Sequence, residues 1–113
     1  MHEFSLCEGI IRESLRQKSI PPEDIASINV AIGELAGVDI DSLQFWFPVV
    51  AAKLQLADVR LNIDIIQARV ICKSCNAEFH LQKLFDPCPV CNTYANYDFL
   101  SGRELLVKSV SAK

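Results

Sequence analysis

The sequence predicts an α+β fold: a small mixed sheet with two helices on one face, plus an inserted cysteine-rich subdomain. Three observations carry this. Two segments place apolar residues at the three-four spacing of a one-sided helix. Two others alternate apolar and polar residues as half-buried strands do. Four of the five cysteines fall in two CxxC pairs within one late stretch of the chain.

Residues 4–19 read as the first helix, with Phe4, Cys7, Ile11, Leu15 and Lys18 on one stripe and Ile10 widening it. The stretch from Ser19 to Asp24 contains Pro21-Pro22 and ends it. Ile25 to Gly33 reads as a strand, because Ile28, Val30 and Ile32 alternate with Asn29 and Ala31. A turn rich in Gly and Asp runs from Gly33 to Asp41, and Asp41 or Ser42 is the expected N-cap of the second helix. The apolar stripe of that helix is Ile40, Leu43, Phe47, Val50 and Leu54. Pro48 lies inside it and removes one hydrogen bond, which predicts a late start or a kink between Gln44 and Pro48. Val59 to Ile66 alternates most clearly, with Val59, Leu61, Ile63 and Ile65 on one face. Ser101-Gly102 is the expected hairpin turn, and Arg103 to Val110 a strand that returns to the main sheet. The strand–helix–strand order from Ile25 to Ile66 favours a crossover, right-handed if the strands are parallel. Residues 1–68 with 103–113 therefore form one α/β domain, and residues 69–102 a subdomain inserted between its last two strands.

The chain has 113 residues, of which half are apolar and 22% charged, a globular composition. Its formal charge of −3 disfavours an electrostatic grip on nucleic acid. No apolar run reaches the length of a membrane span. The opening MHEFSLCEGI has no basic n-region and no small-residue cleavage site, so the expected protein starts at Met1 and stays in the cytoplasm.

Cys72 and Cys75 are followed, twelve residues on, by Cys88 and Cys91. A two-residue gap lets a tight turn aim both sulfurs at one point, and two such turns build the tetrahedral cage that Zn²⁺ prefers. With four ligands the cage has no open position, so it reads as a structural site in a zinc-ribbon-like subdomain, whose binding energy becomes folding energy. A single iron, or two redox dithiols, are the alternatives. Asn76 and Asn92 each follow the second cysteine of a pair, where a knuckle needs positive φ, and Asn tolerates that conformation. Pro87 and Pro89 flank Cys88 and stiffen its turn. Cys7 lies on the first helix's apolar stripe and reads as a small buried hydrophobe. His80 reads as a surface residue, with a metal or pH-sensing role as the alternative.

His2 is the less obvious feature. The Met1 α-amine, the His2 amide nitrogen and the His2 Nδ1 can close fused five- and six-membered chelate rings. Such nitrogens suit square-planar Ni²⁺ or Cu²⁺. Glu3 could complete the set, and Asp39, in the turn before the second helix, is a further carboxylate that could approach.

Taken together these residues resemble the HypA/HybF family of hydrogenase nickel-incorporation proteins. The similar segments are Met1-His2-Glu3 with Ser5-Leu6, the stretch Val30 to Val38, Cys72 and Cys75 with Cys88-Pro89-x-Cys91, and the ending Ser101 to Leu105. They span essentially the whole chain. The resemblance implies a nickel metallochaperone and not an enzyme. It would accept Ni²⁺ as transient cargo and deliver it to the NiFe hydrogenase large subunit, with a HypB-type GTPase as partner; some relatives also serve urease. Met1, His2 and Glu3 match the family's nickel motif, with Asp39 a second-rank ligand, and Cys72, Cys75, Cys88 and Cys91 match the structural zinc ligands. A homodimer is compatible with this reading, whereas nucleic acid and membrane are not expected partners. The chain departs from many relatives at Asn92, where they carry Gly or His, and at Ala68, where they carry Pro; Pro48 is also unusual.

Two rival functions come from the residues alone. A zinc-ribbon module for protein interaction or nucleic-acid binding, without nickel delivery, would suit the cysteines, but Arg69, Lys73 and Lys83 are too scattered for a phosphate track. A metalloenzyme would need an open metal position. Phe45-Trp46-Phe47 reads as a wide buried face or as a docking surface.

Overall fold

The computed structural model describes residues 2–17, 20–56 and 58–113, with only the backbone of His2. Met1, Lys18 and Ser19, on which parts of the expected nickel motif and first helix fall, lie outside the described residues. Among the described residues are two α-helices, α1 (His2–Arg16) and α2 (Ile40–Lys53). Six strands accompany them: β1 (Ile25–Gly33), β2 (Arg60–Ile66), β3 (Arg69–Cys72), β4 (Glu78–His80), β5 (Tyr97–Ser101) and β6 (Leu105–Ala112). A 3-10 turn at Pro22–Asp24 precedes β1. The strands form two three-stranded sheets, ordered β2-β1-β6 and β4-β3-β5. The chain divides into two compact units. The first is Met1–Ala31, Val38–Asp64 and Leu106–Lys113; the second is Ile32–Gly37 and Ile65–Leu105.

In the first unit α1 buries Cys7, Ile10, Ile11 and Ser14, and α2 buries Leu43, Phe47, Val50 and Ala51. The helices are tied by the Cys7 thiol, which donates to the Leu43 carbonyl at 3.6 Å, and by an edge-on contact of the Phe4 and Trp46 rings. Ser14 enters the core because its hydroxyl bonds back to the Ile10 carbonyl at 2.7 Å, so no polar group is stranded. Strand β1 has the predicted bounds and buries Ile25, Ile28, Val30 and Ile32. The predicted alternation fades along β2: Leu61 is buried, Ile63 half-buried and Ile65 exposed. Asn29 joins the strands of its sheet, donating to Ser109 and Ser111 and accepting from Asn62.

The start of α2 differs from expectation. The cap is Asp39, whose Oδ1 accepts the Ser42 N–H at 3.2 Å, so the helix neither starts late nor uses Asp41 or Ser42 as its cap. Pro48 is accommodated because it faces outward, and the carbonyl it leaves unpaired, that of Gln44, sits at an exposed position where water can serve it.

The second unit is built on β3, paired antiparallel with β4 on one side and β5 on the other. Its core is Ala68, Val70 and Leu81, with Leu35, Phe79, Tyr97 and Phe99 packed around it. The expected hairpin at Ser101-Gly102 is not formed, because β5 pairs with β3 and β6 with β1. Gly102 instead sits at a crossing of three backbone passages. A Cβ on Gly33 would overlap the Gly102 carbonyl, and one on Gly102 would overlap Ala68. Gly102 also has φ +104, which disfavours any side chain. Gly33 donates to the Glu104 carbonyl (2.8 Å), Glu34 to Ile66 (2.9 Å) and Leu35 to Gly102 (2.9 Å).

Two glycine replacements should therefore diverge. Gly102→Ala should lose at least ~2 kcal/mol in chemical denaturation, because backbone strain and backbone overlap combine. Gly9→Ala, in α1 with no atom within 4 Å of the new Cβ, should gain ~0.5–1 kcal/mol.

Candidate metal centres

The cysteine pairs sit in two matching knuckles. Cys72 donates its N–H to the Ala77 carbonyl (2.9 Å) and its carbonyl accepts from Asn76 (2.8 Å). Cys88 donates likewise to Thr93 (3.0 Å) and accepts from Asn92 (2.8 Å). Asn76 and Asn92 hold φ of 61° and 63°, as the sequence predicts for residues that must turn the chain back around a ligand. All four sulfurs lie within 4.8 Å of one another, with Cys72–Cys91 and Cys75–Cys88 at 3.6 Å. A tetrahedral zinc–sulfur bond of about 2.3 Å spaces its sulfurs about 3.8 Å apart, so the cluster fits a zinc ion.

The thiols do not ionise alike. Thr93, through its hydroxyl and then its amide, pulls Cys91 down to about 6. The Ala77 amide favours the Cys75 thiolate, but burial and the neighbouring Cys88, Cys91 and Cys72 outweigh it and push Cys75 up to about 12. Four negative sulfurs this close need a cation between them. Cys7 is a different case: burial, then the charge of Glu3, raises its thiol to about 11. It is the buried small hydrophobe that the sequence predicts.

The N-terminal candidates lie in the first unit. Helix α1 opens at His2, so Glu3 stands in its first turn. A Glu3 carboxylate oxygen accepts the Asp39 N–H at 3.4 Å. The Glu3 carboxylate on α1 thus meets the backbone of the residue that caps α2, 36 residues away in sequence. Met1 and the His2 side chain lie outside the described residues.

A family model described as hydrogenase/urease nickel incorporation, metallochaperone, HypA matches residues 1–112. The chain belongs to the HypA family. Two relatives named hydrogenase maturation factor HypA agree with this. That from Francisella philomiragia is 42% identical and that from Geotalea uraniireducens 34%, with 97% and 100% of each chain covered. The fold is similar to that of the solution structure of the Ni metallochaperone HypA from Helicobacter pylori, with a TM-score of 0.64 at 24% identity over 97% of this chain and 96% of that one. HypA proteins form a metallochaperone family of hydrogenase maturation, and the four-cysteine cluster is this member's metal-binding cluster. No helix among the described residues is long and apolar enough to cross a membrane.

Two features were missed in the sequence. One is the cap at Asp39, although Ile40 already stood on the apolar stripe and pointed to the residue before it as the cap. The other is Glu34, whose carboxylate accepts the Ala68 N–H at 2.6 Å and contacts His80. Only its spacing from other residues is visible in sequence, and that spacing says nothing of a contact 46 residues away.

Metal removal and cap removal test these sites separately. A strong chelator should raise amide exchange across Arg69–Ser101 while α1 and α2 keep their protection, read by hydrogen exchange with elemental analysis. Asp39→Ala should cost ~1 kcal/mol of stability with or without metal, whereas Asp39→Asn, which can still cap, should cost only a few tenths.

Proposed function

We propose that this HypA-family chain carries Ni²⁺ to the NiFe hydrogenase large subunit in the cytoplasm, handing it on together with a HypB-type GTPase, and performs no catalysis of its own. Nickel is held by the Met1 amine, the His2 nitrogens and Glu3, with Asp39 alongside. Cys72, Cys75, Cys88 and Cys91 hold one structural zinc. The nickel-handling domain is residues 1–68 with 103–113, and the zinc subdomain residues 69–102.

The observation that carries the reading is the Glu3–Asp39 contact, which brings the residue capping α2 against the first turn of α1. A second point concerns the His2 amide. The first four N–H groups of a helix have no intrahelical acceptor. His2 opens α1, so surrendering its amide proton to a metal would break no helical hydrogen bond. The terminal amine and an imidazole both titrate near neutrality, which gives a route to release by proton uptake or partner contact. A closed four-sulfur cage has no such open position and would keep its zinc.

The test is a nickel titration of zinc-loaded, untagged protein beside His2→Ala and a form with a short N-terminal extension, by calorimetry and elemental analysis. Both changes should abolish tight nickel binding while zinc stays at one per chain. Equal nickel binding by all three would remove the N-terminal site.

A further inference from the structure

We infer that Glu34 and His80 form a proton-responsive clasp that fixes the Ile32–Gly37 segment to β3 and β4 within the second unit. One carboxylate oxygen, Glu34 Oε1, accepts the backbone N–H of Ala68 and meets His80 Nε2. Ala68 is fully buried, so no water can replace that acceptor without opening the core. The imidazole and carboxylate are 31% and 27% exposed, so protons from solvent reach both. An ionised carboxylate approaches an imidazole nitrogen only if that nitrogen carries a proton. Neutral His80 meets this with one tautomer; the imidazolium meets it with a charge as well, and charge-assisted bonds are about twice as strong.

Other charged groups of the second unit stand on the elements around the clasp. Arg69 is the cross-strand partner of His80, and Glu78 stands two residues back on β4. On β5, Asp98 shares that face through its pairing with Ile71, and it is engaged by Lys73 at 3.3 Å. After the crossing, Glu104 is bound to the Gly102 N–H and Arg103 lies over the Phe99 ring. Glu34 is the one charged residue of Ile32–Gly37. The Ala68 N–H, and after it His80, hold the Glu34 carboxyl below the usual range. The grip is therefore lost in strong acid as the carboxylate protonates. With a neutral imidazole the grip keeps its hydrogen bond and lacks the charge assistance. It is firmest in between.

Ile32–Gly37 leads through Val38 directly to Asp39. Protonation of His80 would then stiffen the chain that carries a candidate nickel carboxylate; this consequence rests on the nickel reading above, whereas the clasp does not. Its test therefore uses zinc-loaded full-length protein without nickel. The readout is the protection factor of the Ala68 amide, corrected for intrinsic exchange, from about pH 5.5 to 8. Wild type should lose about tenfold protection over that range. His80→Gln should show a flat profile at the lower level. Glu34→Gln, which can still accept the Ala68 N–H but brings no charge, should also be flat. A flat wild-type profile overturns the inference without reference to any variant, and so does a His80→Gln profile that follows wild type.

Discussion

Three strands of chain pass one another at Gly33, Ala68 and Gly102 with no room for a side chain between them. Much of the second unit depends on that closeness. Only because the backbones touch can Gly33, Glu34 and Leu35 bond alternately to the other two passages, at Glu104, Ile66 and Gly102. Only because Ala68 is drawn into the core can Val70 and Leu81 close over it. The cysteine knuckles hang from this frame: β3 leaves the crossing at Arg69 and reaches Cys72 three residues later. A sulfur cage needs its ligands aimed within tenths of an ångström, and short strands from a rigid crossing supply that aim.

Side-chain periodicity carried most of the first unit into view. The bounds of β1, the buried faces of both helices and the return of the last strand follow from which residues are apolar and how far apart they stand. The knuckles were equally legible, since Asn76 and Asn92 mark the turn conformation by their chemistry. What stayed hidden was contact between distant residues. Ser101-Gly102 has the composition of a hairpin turn. Nothing local reveals that the strands on either side belong to different sheets. Glu34 looks like any charged turn residue until Ala68 and His80 are brought against it.

Pro48 shows the other side of that limit. Its identity foretells a late start or a kink, yet α2 begins at Ile40 and runs on to Lys53 with Pro48 on its exposed side. The same helix presents Phe45 at 68% exposure while Phe47 is buried, so the three neighbouring aromatics do not form one buried face. The Phe45 ring instead rests edge-on against Trp46, which in turn meets Phe4.

The two sets of candidate ligands differ in the company they keep inside the protein. Asp39 already serves Ser42, and Glu3 already serves Asp39, so these carboxylates have hydrogen-bond donors without any cation. The sulfurs of Cys72, Cys75, Cys88 and Cys91 crowd within 4.8 Å of one another, and the few donors beside them, such as Thr93 and the Ala77 amide, do not offset four negative charges at that spacing. A carboxylate with resident donors tolerates coming and going, since each departure leaves a neutral balance of bonds behind. A thiolate cluster does not, because losing its ion forces protons back onto sulfur or pushes the knuckles apart. The two candidate sets thus differ in how much like charge each must balance when no cation is present.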